Sequence, residues 1–180
     1  MAPPGMRDEH WFTTMYGTQY PYIVKYGQRR LADPDAPVEL AQEVFAIAWR
    51  RRTQVPDHSL PWLYGVARRL LANHWRSRRA APELVAIDDA ERLADPAGAG
   101  PDAALELARV RAALAGLSDL DQEILRLIGW EELTLSEAAQ VLGCSRTTAT
   151  VRVHRARRRL LSALAGQPAA PAPTPTGRRL

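Results

Sequence analysis

The chain has 180 residues, with 24 Lys and Arg against 20 Asp and Glu, a formal charge of +4 and 46% hydrophobic content. That length accommodates one medium domain or two small ones with buried cores, and no apolar run approaches the roughly 20 residues of a membrane span. A lone cysteine, Cys144, excludes an internal disulfide framework and a Cys-rich zinc site; a charged, Pro-bearing start without an apolar stretch argues against a secretory signal, and the expectation is a cytoplasmic protein without membrane contact of its own.

Strand-like alternation persists nowhere, and apolar periodicity near 3.6 dominates, so the predicted class is all-α. Residues 1–10 read as a disordered N-terminus. A first helix is predicted over 10–31, with Pro21 as an interruption. A second spans 36–52, where Val38, Ala41, Val44, Phe45, Ala48 and Trp49 form one stripe. Residues 51–59 form a polar loop, and Ser59 is placed to cap a long helix over 60–79 with Pro61 in its first turn. Residues 81–104 collect Pro, Gly, Ala and Asp and read as a flexible acidic linker. Helices follow at about 105–115, 119–129, 135–142 and 146–164. Thr134 with Glu137 opens the third of these as a capping box, and Ser118 with Asp121 opens the second more weakly. Residues 166–180, rich in Pro, Ala and Thr, read as a disordered tail. The architecture expected is two small helical domains, 11–80 and 105–165, on a flexible tether.

Charge is distributed in blocks. Residues 1–43 carry a net −2, residues 44–79 a net +7, residues 80–137 a net −9 and residues 138–180 a net +8. Two basic blocks separated by an acidic one fit two contacts with a single polyanion, with the middle stretch repelled from it. Every basic residue but Lys25 is Arg, the side chain suited to bidentate phosphate and base contacts.

The run from Leu135 to Ala156 reads as a helix-turn-helix. Small Ala139 permits a close helix crossing, Gly143 suits a left-handed turn, and Ser145 caps the second helix. On that helix Ala149, Val153, Ala156, Leu160 and Leu164 share one face. Thr147, Val151, His154, Arg155 and Arg158 lie opposite, with Thr150 at their edge, a basic outward face of the kind that docks in a major groove. In helix 60–79 the apolar face is Leu63, Ala67, Leu70, Leu71 and His74, with Val66 at its border and Tyr64, Arg68 and Trp75 along a flank. Trp62, Arg69, Asn73 and Arg76 share a different face. An aromatic, an amide and two guanidiniums there can stack on and hydrogen-bond to exposed bases and phosphates.

Three blocks then stand in order: Ala41-Gln-Glu-Val-Phe45 followed by Trp49-Arg50; Trp62-Leu-Tyr64 followed by Ala67-Arg68 and Asn73-His-Trp-Arg76; and Leu142-Gly143 followed by Arg152, Arg155 and Arg157. In this order and spacing the chain resembles a bacterial RNA polymerase sigma factor of the sigma-70 family, in its two-domain extracytoplasmic-function (ECF) group. The resemblance covers about 11–80 (region 2) and 105–164 (region 4). It implies that Glu39, Gln42, Glu43 and Phe45 dock on the clamp helices of the polymerase β′ subunit. It implies that the loop 51–59, with Arg51 and Arg52, captures a flipped base of the −10 element. It implies that Trp62, Arg69, Asn73, Arg76 and Arg79 read and open that element. Arg146, Thr147, Thr148, Thr150, Val151, His154, Arg155 and Arg158 would read the −35 element. Core polymerase (β′ clamp helices and β flap), promoter DNA and an anti-sigma factor are the implied partners, with no cofactor, metal or catalytic residue. Arg69, Asn73, Thr150 and Val151 depart from the family's usual residues and leave the promoter sequence unassigned.

A stand-alone helix-turn-helix regulator is the alternative; it leaves the first two blocks unexplained. An enzyme lacks a signature, since His10, His58, His74 and His154 are scattered without metal or triad spacing. A redox role for Cys144 is not marked by its surroundings, a turn where a small apolar residue suffices. A polymerase adaptor that never touches DNA is at odds with the basic faces.

Overall fold

The computed structural model describes residues 7–80 and 101–166, with side chains over 7–76 and 103–166. Seven helices and no strand occur among them: α1 (Glu9–Gln28), α2 (Ala36–Arg50), α3 (Leu60–Ala80), α4 (Pro101–Ala115), α5 (Asp119–Gly129), α6 (Leu135–Leu142) and α7 (Arg146–Ala165), with a short 3-10 turn at Arg52–Gln54. The expectations for 1–6, 81–100 and 167–180 lie outside the described residues.

Helices α1 to α3 form an N-terminal bundle. Asp8 starts α1 by accepting the Trp11 amide through its side chain at 2.9 Å, so residues 7–10, expected to be disordered, are ordered. The helix runs through Pro21 without the expected break. The ring sits on an exposed face, and the carbonyl its missing N–H would have bonded belongs to Gly17, also exposed, where water can satisfy it. At Gly27 α1 meets the start of α2 so closely that an added Cβ would lie 2.9 Å from the Pro37 Cα. The core of α2 is Leu40, Ala41, Val44, Phe45 and Ala48; Val38, expected in the stripe, is exposed, and Leu40 takes its place. Phe45 packs edge-on against Phe12 and Tyr16 at centroid distances of 6.3 and 4.9 Å. From α3 come Leu63, Val66, Ala67 and Leu71. His74, expected on that apolar face, is exposed along with Asn73, Trp75 and Arg76, because none of the described residues packs over this turn of α3.

Helices α4 to α7 form the C-terminal bundle. Pro101 opens α4, so 101–104 is helical and not the end of a linker. The capping box of Thr134 and Glu137 is complete, Ser118 caps α5 through the Asp121 amide, and Gly143 ends α6 at φ +67° and ψ +37°. Ala139, Ala149, Val153 and Ala156 pack with Ile124; Leu160 and Leu164 are half-buried. Beneath them Asp121, buried from α5, pairs with Arg159 and, at 3.8 Å, with Arg152, fastening α7 down.

The two bundles are in contact, which the sequence did not announce. Leu127, Leu133, Ala138 and Val141 join the same hydrophobic cluster as the N-terminal core, and α6 lies on α3 at Gly65, where an added Cβ would stand 3.9 Å from the Val141 Cα. Tyr64, next to Gly65 on α3, is buried in this cluster with its ring 5.1 Å from that of Tyr26 in α1.

Candidate nucleic-acid interface

On α3, Arg69, Asn73 and Arg76 are exposed at helical spacing, and Arg76 donates to the Asn73 side-chain oxygen at 2.8 Å. Trp62 lies at the start of this stripe, half-buried against the N-terminal core, with one side still open. Trp75 is exposed on the neighbouring flank. The structure thus brings together Trp62, Arg69, Asn73 and Arg76, while the side chain of Arg79 lies outside the described residues.

The loop before α3 is pegged at both ends. Val55 is buried, and the Ser59 hydroxyl, read from sequence as a helix cap, exchanges hydrogen bonds with the side chain of Gln19 at 2.7 and 2.9 Å. The Arg52 guanidinium stacks on Trp49, 4.6 Å from the ring centroid, and donates to the Trp49 carbonyl at 3.3 Å; Arg51 is exposed. Arg7 donates to the Arg52 carbonyl at 3.0 Å and to Asp57 at 2.9 Å, with its own guanidinium over Trp11. Arg7 escaped the sequence reading because its partners lie 45 and 50 residues away. A loop held in this way presents its edge with little ordering left to do on binding.

On α7, Ser145 caps the helix through the Thr148 amide at 3.1 Å. Arg146, Thr147, Thr148, Thr150, Val151, His154, Arg155 and Arg158 are all exposed. The Thr150 hydroxyl donates to the Arg146 carbonyl at 2.9 Å, and the Thr148 hydroxyl shares a 2.9 Å bond with Ser145; each oxygen retains acceptor capacity. Arg146, Arg155 and Arg158 have no acidic partner among the described residues, whereas Arg152 and Arg159 are held by Asp121. Guanidiniums without internal partners are available to phosphate or base edges.

Helix α2 exposes Glu39, Gln42 and Glu43. Phe45, grouped with them by resemblance, is 2% exposed inside the aromatic cluster with Phe12, Tyr16 and Tyr20; it fixes the helix and makes no surface of its own. Between α1 and α2 an open groove is lined by Glu9, Phe12, Thr13, Ala46 and Trp49. Among the described residues no His, Cys, Asp and Glu group is placed to hold a metal, and no helix is long and apolar enough to cross a membrane.

Two family descriptions match the chain: Sigma-70 region 2 over residues 15–81 and Sigma-70, region 4 over residues 107–160. The ECF RNA polymerase sigma factor SigF of Caulobacter vibrioides is 36% identical over 138 residues, which is 75% of either chain. The fold is similar to that of the sigma factor RpoE from Bartonella quintana, solved in complex with the anti-sigma factor NepR, with a TM-score of 0.65 at 24% identity over 87% of this chain and 98% of that one. It is also similar to CnrH, solved with the cytosolic domain of CnrY, with a TM-score of 0.60 at 21% identity over 90% and 92%.

Proposed function

The chain belongs to the sigma-70 family of RNA polymerase sigma factors, in its ECF group, and from that premise we propose how its own residues direct transcription initiation in the cytoplasm. The N-terminal bundle docks on the β′ clamp helices of core polymerase through Glu39, Gln42 and Glu43 of α2. Arg51 and the pegged loop receive a flipped base of the −10 element. Trp62, Arg69, Asn73 and Arg76 hold the non-template strand, and the outward face of α7 reads the −35 element. The observation that carries this reading is the pair of outward basic surfaces, on α3 beside an aromatic and on the second helix of a helix-turn-helix, with no acid paired to Arg146, Arg155 or Arg158 among the described residues.

Magnitudes divide the labour. Separating DNA strands loses about 1.4 kcal/mol per base-pair step, and stacking one captured base on an aromatic returns about 1–3 kcal/mol. One or two captured bases start a bubble and do not sustain it, so the remainder comes from the polymerase. By analogy with RpoE, which was solved with the anti-sigma factor NepR, an anti-sigma factor is the expected inhibitor.

The test is in vitro transcription by core enzyme and this chain on genomic templates, with start sites mapped. New, chain-dependent starts preceded by two common elements are expected; no new start would refute the reading. In the same assay Trp62→Ala should impair strand opening, read by permanganate footprinting, more than it impairs initial promoter binding.

A further inference from the structure

We propose that Asp57, at the exposed tip of the loop before α3, reads the base flipped from the −10 element by accepting a hydrogen bond from its exocyclic amino group, and that Arg7 is the residue that positions it. The inference rests on the reading of that loop as the receiver of a flipped base.

Asp57 is the only acid among residues 44–79, a stretch that carries eight arginines. On a surface that meets phosphates a carboxylate works against binding whatever the DNA sequence, so its place there needs a compensating role. Stability does not supply one. Asp57 pairs with Arg7 at 2.9 Å but is itself fully exposed, and an ion pair so placed contributes little to folding.

The geometry gives it a different task. Val55 and Ser59 are buried, which leaves 56–58 as an exposed tip between two anchors. Pro56 fixes its own φ and narrows the freedom of that tip. His58 is taken up by Glu137 of α6 at 2.5 Å. Asp57 gives one carboxylate oxygen to Arg7 Nη2; its other oxygen has no partner among the described residues. Arg7 does not depend on Asp57 for its place. Its Nη1 donates to the Arg52 carbonyl at 3.0 Å, its guanidinium lies 4.9 Å from the centroid of the Trp11 ring, and its side chain is 18% exposed. A planar fork fixed on one side orients the carboxylate on the other, so Arg7 aims Asp57 and the free oxygen points away from the protein's own donors.

The chemistry of the base then follows. A flipped nucleotide is read along its Watson–Crick edge, and an ionised carboxylate can only accept. Adenine and cytosine carry an amino group where guanine and thymine carry a carbonyl. The free oxygen of Asp57 attracts the first pair and opposes an acceptor on the second, so selection works by repulsion as well as attraction. Arg51, exposed at the other end of the loop, is suited to the phosphate, which positions the strand and carries no sequence information.

The test uses the full chain with core polymerase on promoters located by start-site mapping. The −10 element is left unpaired on the non-template strand, so that duplex stability does not vary with the base under study, and each position is changed through all four bases. At one position adenine or cytosine should bind about tenfold better than guanine or thymine. Asp57→Asn, whose amide donates as well as accepts, should abolish that preference and leave the other positions as they were. Arg7→Ala should weaken the same preference, and Arg7→Lys, which keeps a charged donor, should restore part of it. Arg7→Ala/Asp57→Asn should lose no more than Asp57→Asn alone, as expected of a residue that acts through another. Unchanged base preference in Asp57→Asn, whether binding is tighter on every sequence or the thermal midpoint is lower, would overturn the role of Asp57. Additive losses from the two substitutions would overturn the positioning by Arg7. A wild-type chain that directs no new start at all would instead remove the reading of the loop on which the proposal rests.

Discussion

Two arginines on α7 show how one residue type takes two roles. Arg155 projects outward without an acidic partner, and Arg159, four residues on, is held on the buried carboxylate of Asp121. Arg155→Ala should weaken promoter binding by about 1–3 kcal/mol at one position of the −35 element and leave the thermal midpoint of the free chain unchanged. Arg159→Ala should do the reverse, lowering the midpoint by a few degrees for a loss of about 1 kcal/mol with little change in base preference. Binding across single-base promoter variants and thermal melts of both proteins check the contrast. The outward set on α7 was legible from periodicity alone, because a 3.6-residue repeat assigns faces once the apolar ones are known. The anchoring by Asp121 was not, because that carboxylate lies 31 and 38 residues away in the chain from the arginines it holds. Phe45 is the converse case. A conspicuous motif residue reads as a contact, yet its ring is worth more inside an aromatic cluster than at the surface.

At the scale of elements, local chemistry decided most boundaries. The capping box starts α6, and the left-handed Gly143 ends it; both were visible as residue types at fixed offsets. Thr134→Ala removes the side-chain acceptor for the Glu137 amide and should cost about 1 kcal/mol, a fall of about 2–4 °C in the thermal midpoint. Gly143→Ala should cost a similar amount, since a Cβ at φ +67° is strained even though space surrounds it. Calorimetry on the two variants checks both. Local rules failed where a neighbouring element intervened. Helix α1 passes through Pro21 because packing on α2 and α3 on either side of it outweighs one lost hydrogen bond. Tyr64 on α3 is buried in the shared cluster with its ring against Tyr26 of α1, and His74 is exposed because none of the described residues packs over it.

For the molecule as a whole, the contact between the bundles carries a dependence on pH that follows from its carboxylates. Burial works to raise the Glu123 carboxyl, but Arg30 beside it, with hydrogen bonds from Arg30 and Tyr26 and the field of Arg126, overturns that and holds it below the usual range. The Tyr26 hydroxyl is pushed well up by burial and remains a donor. A carboxyl whose pKa is lower in the folded chain contributes stability above its unfolded value, near 4.3, and loses it as pH falls through the folded value. Stability should therefore be level from pH 7 to about 5 and decline below about 4. Glu123→Gln should be less stable at pH 7 and flatter with pH below it. Urea unfolding at a series of pH values reads both. The lowered Glu137, bonded by Thr134 and touched by His58, is close to solvent and adds little.

Amino-acid order alone determined the class, the seven helices, the turn of the helix-turn-helix and both outward basic faces, since each of these depends on residues within about one or two turns of one another. Tertiary structure alone decided that the bundles close on each other. Arg30 and the carboxylates it meets, Glu123 and Glu131, are separated by 93 and 101 residues, and no periodicity links such positions. Whether charges so far apart in the chain meet, and are buried when they do, is settled by the packing of α6 on α3 and by the balance between their attraction and their lost hydration.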